Sequence, residues 1–390
     1  MLRTIDVDAH FEPGGEWLDP YPELAARLPA LDPGALAVRT ICGDLIESMP
    51  ASDRPSYAEL SPPGLLALFA QEKLDEKDRR KEFEGKNQFQ VANAQARLKW
   101  MDAQGIEVQN IICLAGVNYL TFVEDLGLRQ AVVRACNDWL ADQCDGSGGR
   151  LLPVTALDYM DLEWAVAELE RMRHRGSRMV LIPGAPIDGR SLAHPAWDRL
   201  WRALTDNGMI AMLHTGFERM SFAPGWGNMS ADATLLRQFG SSFRHVTPMM
   251  LISALVFGGT FERNPALTLL IAELGCGWLP FFIRDIDDRA TPLSQLFLGE
   301  WKNPMKPSDY VARHVRATPL SGGNDSPILR IMDDLPQDMI VFSSDFPHFE
   351  GFGDPRAYYA DALAGLPNDR RARFFGGAVA EAYARMGDPI

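Results

Sequence analysis

Short apolar runs, each followed by a stretch with helical spacing, recur along most of this chain, and that alternation leaves few folds open to it. Strand-like runs are read at Leu2 to Val7, Val108 to Leu114, Leu151 to Ala156, Met179 to Ile182, Met209 to Leu213, Leu267 to Ala272 and Met339 to Phe342. Val315 to Thr318 offers room for an eighth. Helical spacing is read at Leu65 to Met101, Leu126 to Cys144, Leu162 to Arg175, Trp197 to Asn207, Pro248 to Phe261 and Trp278 to Asp288, and again from about Pro355. Gly105, Gly176 and Gly208 stop the helices that precede them. This order predicts an α/β fold, a (β/α)8 TIM barrel with inserted loops and helices, forming a single domain over residues 1–390. The insertions are a Pro- and Gly-rich stretch at about 12–63 and an irregular one at about 289–338. An open dinucleotide-binding sheet explains the pattern less well, because no GxGxxG follows the first strand and no GxxxxGK[ST] occurs.

In a barrel of parallel strands the chemistry sits at the carboxyl ends of the strands. The first strand runs into Asp8-Ala9-His10, and alternate residues of a strand share a face, so both side chains are presented together. The run Met209 to Leu213 ends in His214, and Leu267 to Ala272 ends in Glu273. Met339 to Phe342 passes through Ser343 and Ser344 into Asp345, with His348 beyond. Three of the seven histidines thus fall on or near strand ends. Asp8, His10, His214 and Asp345 supply two imidazoles and two carboxylates, a donor set for one divalent metal ion, zinc ahead of manganese. A position left open on such an ion points to catalysis.

Further candidates are catalytic rather than ligating. Asp345, His245 and Glu273 are the acid/base candidates, Glu273 because a carboxylate ending a buried strand is costly without a partner. His348 is expected to hold the Asp345 loop by hydrogen bonding. His174, His194 and His314 are expected at the surface. The five cysteines are scattered without a CxxC pair, which argues against a disulfide framework and a thiolate zinc site.

A net charge of -14 with no basic block excludes nucleic acid as a natural partner. No apolar run reaches membrane-spanning length and no signal peptide is read at the N-terminus, so a cytoplasmic protein without a membrane partner is expected. A small-molecule substrate and a homodimer complete the expectation.

Several motifs, in order, resemble the amidohydrolase-2 branch of the amidohydrolase superfamily. They are Asp8-Ala9-His10, Arg97 to Ile106, Cys136 to Leu140, Leu213 to Gly216, Phe257 to Pro265, Glu273 to Pro280 and Ser344 to His348. The resemblance implies a metal-dependent barrel enzyme with ligands at Asp8, His10, His214 and Asp345. It implies either non-oxidative decarboxylation of an aromatic or unsaturated acid, or hydrolysis of a C–N, C–O or C–C bond by metal-bound water with Asp345 as base. Two positions depart from the branch. Asp8 stands where several relatives have His or Glu, and Glu273 where its decarboxylases often have His. No lysine falls at a strand end, which favours one metal over two. A catalytically dead barrel would be expected to lack a ligand, and none is missing.

Overall fold

The computed structural model describes residues 3–13, 15–31, 45–46, 49–54, 94–217, 222–223, 225–229, 233–320, 328–336, 338–348 and 351–390. Its strands are β1 (Ile5–His10), β2 (Val108–Ile112), β3 (Leu151–Thr155), β4 (Met179–Leu181), β5 (Ile210–His214), β6 (Leu269–Ala272) and β7 (Val315–Ala317). They form one sheet in sequence order, every neighbouring pair parallel. All residues of these strands are buried; β4 (MVL) and β6 (LLIA) accordingly read as continuous apolar runs, whereas β1 (IDVDAH) alternates, its polar Asp6, Asp8 and His10 being buried as well.

The segment Met339 to Phe346 hydrogen-bonds to both edges of that sheet. On one side Ala317 N–H donates to Met339 O at 2.8 Å and Val341 N–H to Ala317 O at 3.0 Å. On the other, Asp345 N–H donates to Asp8 O at 2.9 Å and His10 N–H to Phe346 O at 2.7 Å. The run expected as a full strand at Met339 to Phe342 therefore pairs through isolated parallel bridges, Ala317 with Ile340 and Ala9 with Phe346.

β1 begins later than the sequence predicts and continues through His10, so Asp8 and His10 lie within the strand itself. Its register against β2 shifts between Asp6 and Ala9, placing Val7 and Asp8 opposite Asn110 alone. An extra residue of this kind re-aims side chains, and here the shifted stretch includes the candidate ligand Asp8 and precedes His10.

The helices named below are α1 (Ala94–Gln104), α2 (Leu126–Cys144), α3 (Leu162–His174), α4 (Asp198–Asp206), α5 (Val246–Phe257), α6 (Leu279–Asp287), α7 (Pro292–Leu298), α8 (Pro307–His314), α9 (Pro355–Ala362) and α10 (Ala378–Arg385). α2 has the boundaries its spacing predicts, and Asp125 caps it by accepting from Leu128 N–H at 2.7 Å. α3 starts at Asp161, whose carboxylate accepts from the amides of Glu163 and Trp164, and ends in Arg171, Arg173 and His174, basic residues that suit a helix C-terminus. After α4 the chain turns at Gly208 with φ 65°, where a Cβ would also stand 2.6 Å from Asp388 Cβ. Only glycine fits both constraints.

The stretch 289–338, expected to be irregular, carries α7, α8, a helix at Ile328–Asp333 and β7. These helices span about two turns each, too short for a 3.6-residue period to stand out. Most of the predicted helix at Leu65 to Met101 and about half of the insertion at about 12–63 lie outside the described residues. Within the described residues, no helix is long and apolar enough to cross a membrane.

Candidate metal centre

Asp8 and His10 leave β1, His214 ends β5, Glu273 follows β6, and Asp345 sits in the segment that joins β7 to β1. These side chains meet. Asp8 Oδ1 lies 3.3 Å from His10 Nε2 and 3.4 Å from His214 Nε2. Asp345 Oδ1 is 3.4 Å from His10 Nε2, and Glu273 Oε2 is 3.2 Å from His214 Nε2. His348 Nδ1 contacts Asp345 Oδ1 at 2.8 Å, while its Nε2 lies 3.2 Å from Glu12 Oε1. Two sets of potential ligand atoms fall within 4.8 Å of one another: Asp8, His10 and His214, and His10, Glu273, Asp345 and His348.

The backbone holds this geometry under tension. Glu273 and Asp345 adopt positive φ, 55° and 52°, which costs a non-glycine residue about 1–3 kcal/mol. Glu273 N–H is fixed by donating to Thr318 Oγ1 at 3.0 Å, and Asp345 N–H by its bond to β1. Outliers of this type gather where a side chain must be aimed.

The residues fit a divalent cation. Asp8 Oδ1 and Oδ2, His10 Nδ1 and Nε2, His214 Nε2 and Glu273 Oε2 are buried without a hydrogen-bond partner. A buried unsatisfied polar atom costs about 1–3 kcal/mol, more when charged, so several converging on one point need a common partner. His214 Nδ1 donates to Thr215 O at 2.8 Å, which turns Nε2 toward the cluster.

The electrostatics diverge inside a few ångströms. Burial alone would raise Asp8, yet the charge of His214 and the contact with His10 outweigh it and hold the carboxyl well below the usual range. Burial, reinforced by the charge of His348, drives His10 down to about 4. For His214 burial is overcome by the charge of Asp8, and the value rises to about 9. Burial and then the charge of Asp345 push Glu273 well above an ordinary carboxyl. His348 is lifted well above an ordinary imidazole because Asp345 outweighs burial. Groups displaced in opposite directions within one cleft mark a functional site.

The amidohydrolase family model matches residues 5–385, nearly the whole chain and all of the residues just described. The chain belongs to the amidohydrolase family. It is accordingly a metal-dependent enzyme of the amidohydrolase superfamily. It is 25% identical over 257 residues to gamma-resorcylate decarboxylase from Polaromonas sp. (strain JS666 / ATCC BAA-500), covering 64% of this chain and 76% of the relative. In fold it is similar to the amidohydrolase map2389c from Mycobacterium avium subsp. paratuberculosis K-10, with a TM-score of 0.70, 21% identity and coverage of 98% and 99% of the two chains. It is also similar to a dihydroxybenzoic acid decarboxylase from Polaromonas sp. JS666 solved with bound manganese and the inhibitor 2-nitroresorcinol, with a TM-score of 0.58, 19% identity and coverage of 98% and 97%.

Within this amidohydrolase the structure gathers Asp8, His10, His214, Glu273, Asp345 and His348. His245 stands apart, exposed at the residue before α5. Glu12 joins the group although the sequence reading placed it at the start of the insertion. Its only signal was its position two residues after His10. Arg97 is a second residue the sequence left without a role; its guanidinium is buried against β1. His174 and His194 are exposed as expected, but His314 is fully buried, its ring stacked on Phe261 with centroids 4.4 Å apart.

Proposed function

We propose that this amidohydrolase is a non-oxidative decarboxylase of an aromatic or unsaturated carboxylic acid, built on a (β/α)8 barrel that forms one domain. The observation that carries the reading is the contact of Asp345 with His10 on one side and with His348 on the other. Asp345 thus touches a proposed ligand on one side and, through His348, the more exposed Glu12 on the other, which supports a route for protons from solvent. The side chains of His348 and Glu12 are 24% and 32% exposed, against 1% for Asp345. The relative described as gamma-resorcylate decarboxylase supports the same reading.

Asp8, His10, His214 and Asp345 are the residues that would hold one divalent ion, with Glu273 beside His214. Zinc is the proposed ion on account of the two imidazoles, and manganese the alternative on account of the oxygen donors. Such an ion supplies Lewis-acid stabilisation of negative charge on substrate oxygens. Asp345 delivers a proton to the carbon bearing the carboxylate. The C–C bond to that carboxylate then breaks, its electron pair returns to the π system of the substrate, and CO2 leaves. His348 and Glu12 return a proton to Asp345 from the solvent side. Glu273 is the alternative acid; His245 would have to move to serve.

The absence of a buried lysine among the described residues supports a single ion: Lys99, Lys302 and Lys306 are all exposed. A hydrolase is the second reading. Glu273 favours it, since a second buried carboxylate at the site suits a base better than the His common in the decarboxylases. A homodimer and a cytoplasmic location belong to the proposal as well. The dimer is supported by α7, where Leu293, Leu296, Phe297 and Leu298 are between 66% and 82% exposed.

The test is to load the protein with zinc or manganese and incubate it with a panel of aromatic acids and with matching esters and amides. Release of CO2 with loss of the acid bears the proposal out. Cleavage of an ester or amide without CO2 release overturns it in favour of the hydrolase.

A further inference from the structure

Beneath the candidate ligands lies a buried polar brace that no ligand role explains. Arg97, on α1, is 5% exposed, and one arm of its guanidinium donates to the backbone carbonyl of His10 at 2.6 Å. The other arm donates to Gln109 Oε1 at 3.1 Å. Gln109 in turn donates from Nε2 to Asp6 Oδ2 at 2.7 Å. Asp6 Oδ1 accepts from the amides of Asp8 at 3.3 Å and Ser344 at 2.9 Å. The faces of the guanidinium are covered as well. Its carbon lies 4.6 Å from the ring centres of both Phe11 and Phe346, and Trp100 stacks on Phe346 at 3.9 Å.

Phe11 follows His10, Phe346 follows Asp345, and Phe346 O accepts from His10 N–H. One planar cation therefore grips the residues next to two ligands that stand more than 300 positions apart in sequence. Lysine cannot reproduce this: it lacks both the fork and the flat faces.

We propose that Arg97 is a positioning residue that sets the spacing between the β1 ligands, Asp8 and His10, and Asp345, and thereby sets the affinity for the metal ion. The inference rests on the reading of those residues as ligands. Groups that orient ligands typically control metal affinity by about 10–100-fold.

The experiment titrates metal-free protein with manganese, following the free ion by electron paramagnetic resonance, and records the melting temperature of each metal-free variant. R97K is expected to weaken binding about tenfold and R97M up to about a hundredfold. Y383F is the control. Tyr383 Oη donates to Asn110 Oδ1 at 3.0 Å, and Asn110 bonds Asp6 O at 3.2 Å, so it is buried in the same network away from the ligands. It is expected to lower the melting temperature and leave affinity unchanged. Should R97M fail to fold, R97K decides. R97K binding manganese within about threefold of wild type, or Y383F weakening it as much as R97K does, overturns the role of Arg97. Failure of the wild-type protein itself to bind manganese or zinc would instead overturn the ligand assignment.

Discussion

His214 bonds Thr215 O through Nδ1 and turns Nε2 toward Asp8 and Glu273, so its imidazole can be removed without touching the hydrogen bonds of β5. His214→Ala is expected to remain folded, to lose the metal and to lose nearly all activity, with elemental analysis as the check; normal metal content would strike His214 from the ligand set. Asp345 separates holding an ion from moving a proton. Asp345→Asn keeps the shape and one oxygen but cannot exchange a proton, and general acid–base groups are worth about a hundredfold to ten-thousandfold. Turnover is expected to fall by at least a hundredfold while part of the metal is retained. A variant within about tenfold of wild type would move the proton role to Glu273. Both residues were legible as ligand types that follow apolar runs. Glu12 carried no such mark, because its partner His348 is 336 positions away.

At the scale of elements, local chemistry set what was readable. α2 was legible to the residue because its apolar spacing runs for 19 residues and Asp125 stops the backbone from extending it. α3 is defined in the same manner by Asp161, which accepts from two amides at 3.0 and 3.1 Å. Removing an N-cap costs about 1 kcal/mol. Asp161→Ala is accordingly expected to lower the unfolding free energy by about 1 kcal/mol, read as a lower urea midpoint, with turnover unchanged; an unchanged midpoint would show that the cap contributes nothing. α7 and α8 escaped the reading for the opposite reason, being only 7 and 8 residues long. β1 extended beyond its apolar run because Ala9 and His10 pair with β2 while Asp8 O and His10 N–H bond the 339–346 segment, a tertiary bond supply that side-chain hydropathy does not report.

For the molecule as a whole, acid sensitivity is expected to have a contribution far in sequence from the ligands. His314 ends α8 with Nδ1 at 2.6 Å from Leu267 O, and burial, reinforced by the charges of Arg385, Arg313 and Arg316, lowers it to about 4 from an ordinary 6.5. The unfolded chain therefore binds a proton between those values that the folded chain refuses. The stability this histidine contributes is present above pH 6.5 and is lost as pH falls toward 4, by up to about 3 kcal/mol. His314→Gln is expected to flatten the decline in melting temperature between pH 7.5 and 5; a parallel decline in both proteins would refute it. The sequence alone determined the α/β class, the parallel order implied by alternating runs, and the residue types standing at Asp8, His10, His214, Glu273 and Asp345. Those properties are local: a burial pattern and a strand end are written within about ten residues. The tertiary structure decided which of these groups meet. It brought Glu12 and His348 to Asp345, set Arg97 of α1 under His10, left His245 exposed and buried His314. Backbone pairing between β1 and the 339–346 segment is what sets Asp345 beside His10, because such pairing brings together residues hundreds of positions apart whose spacing in sequence carries no record of their distance in space.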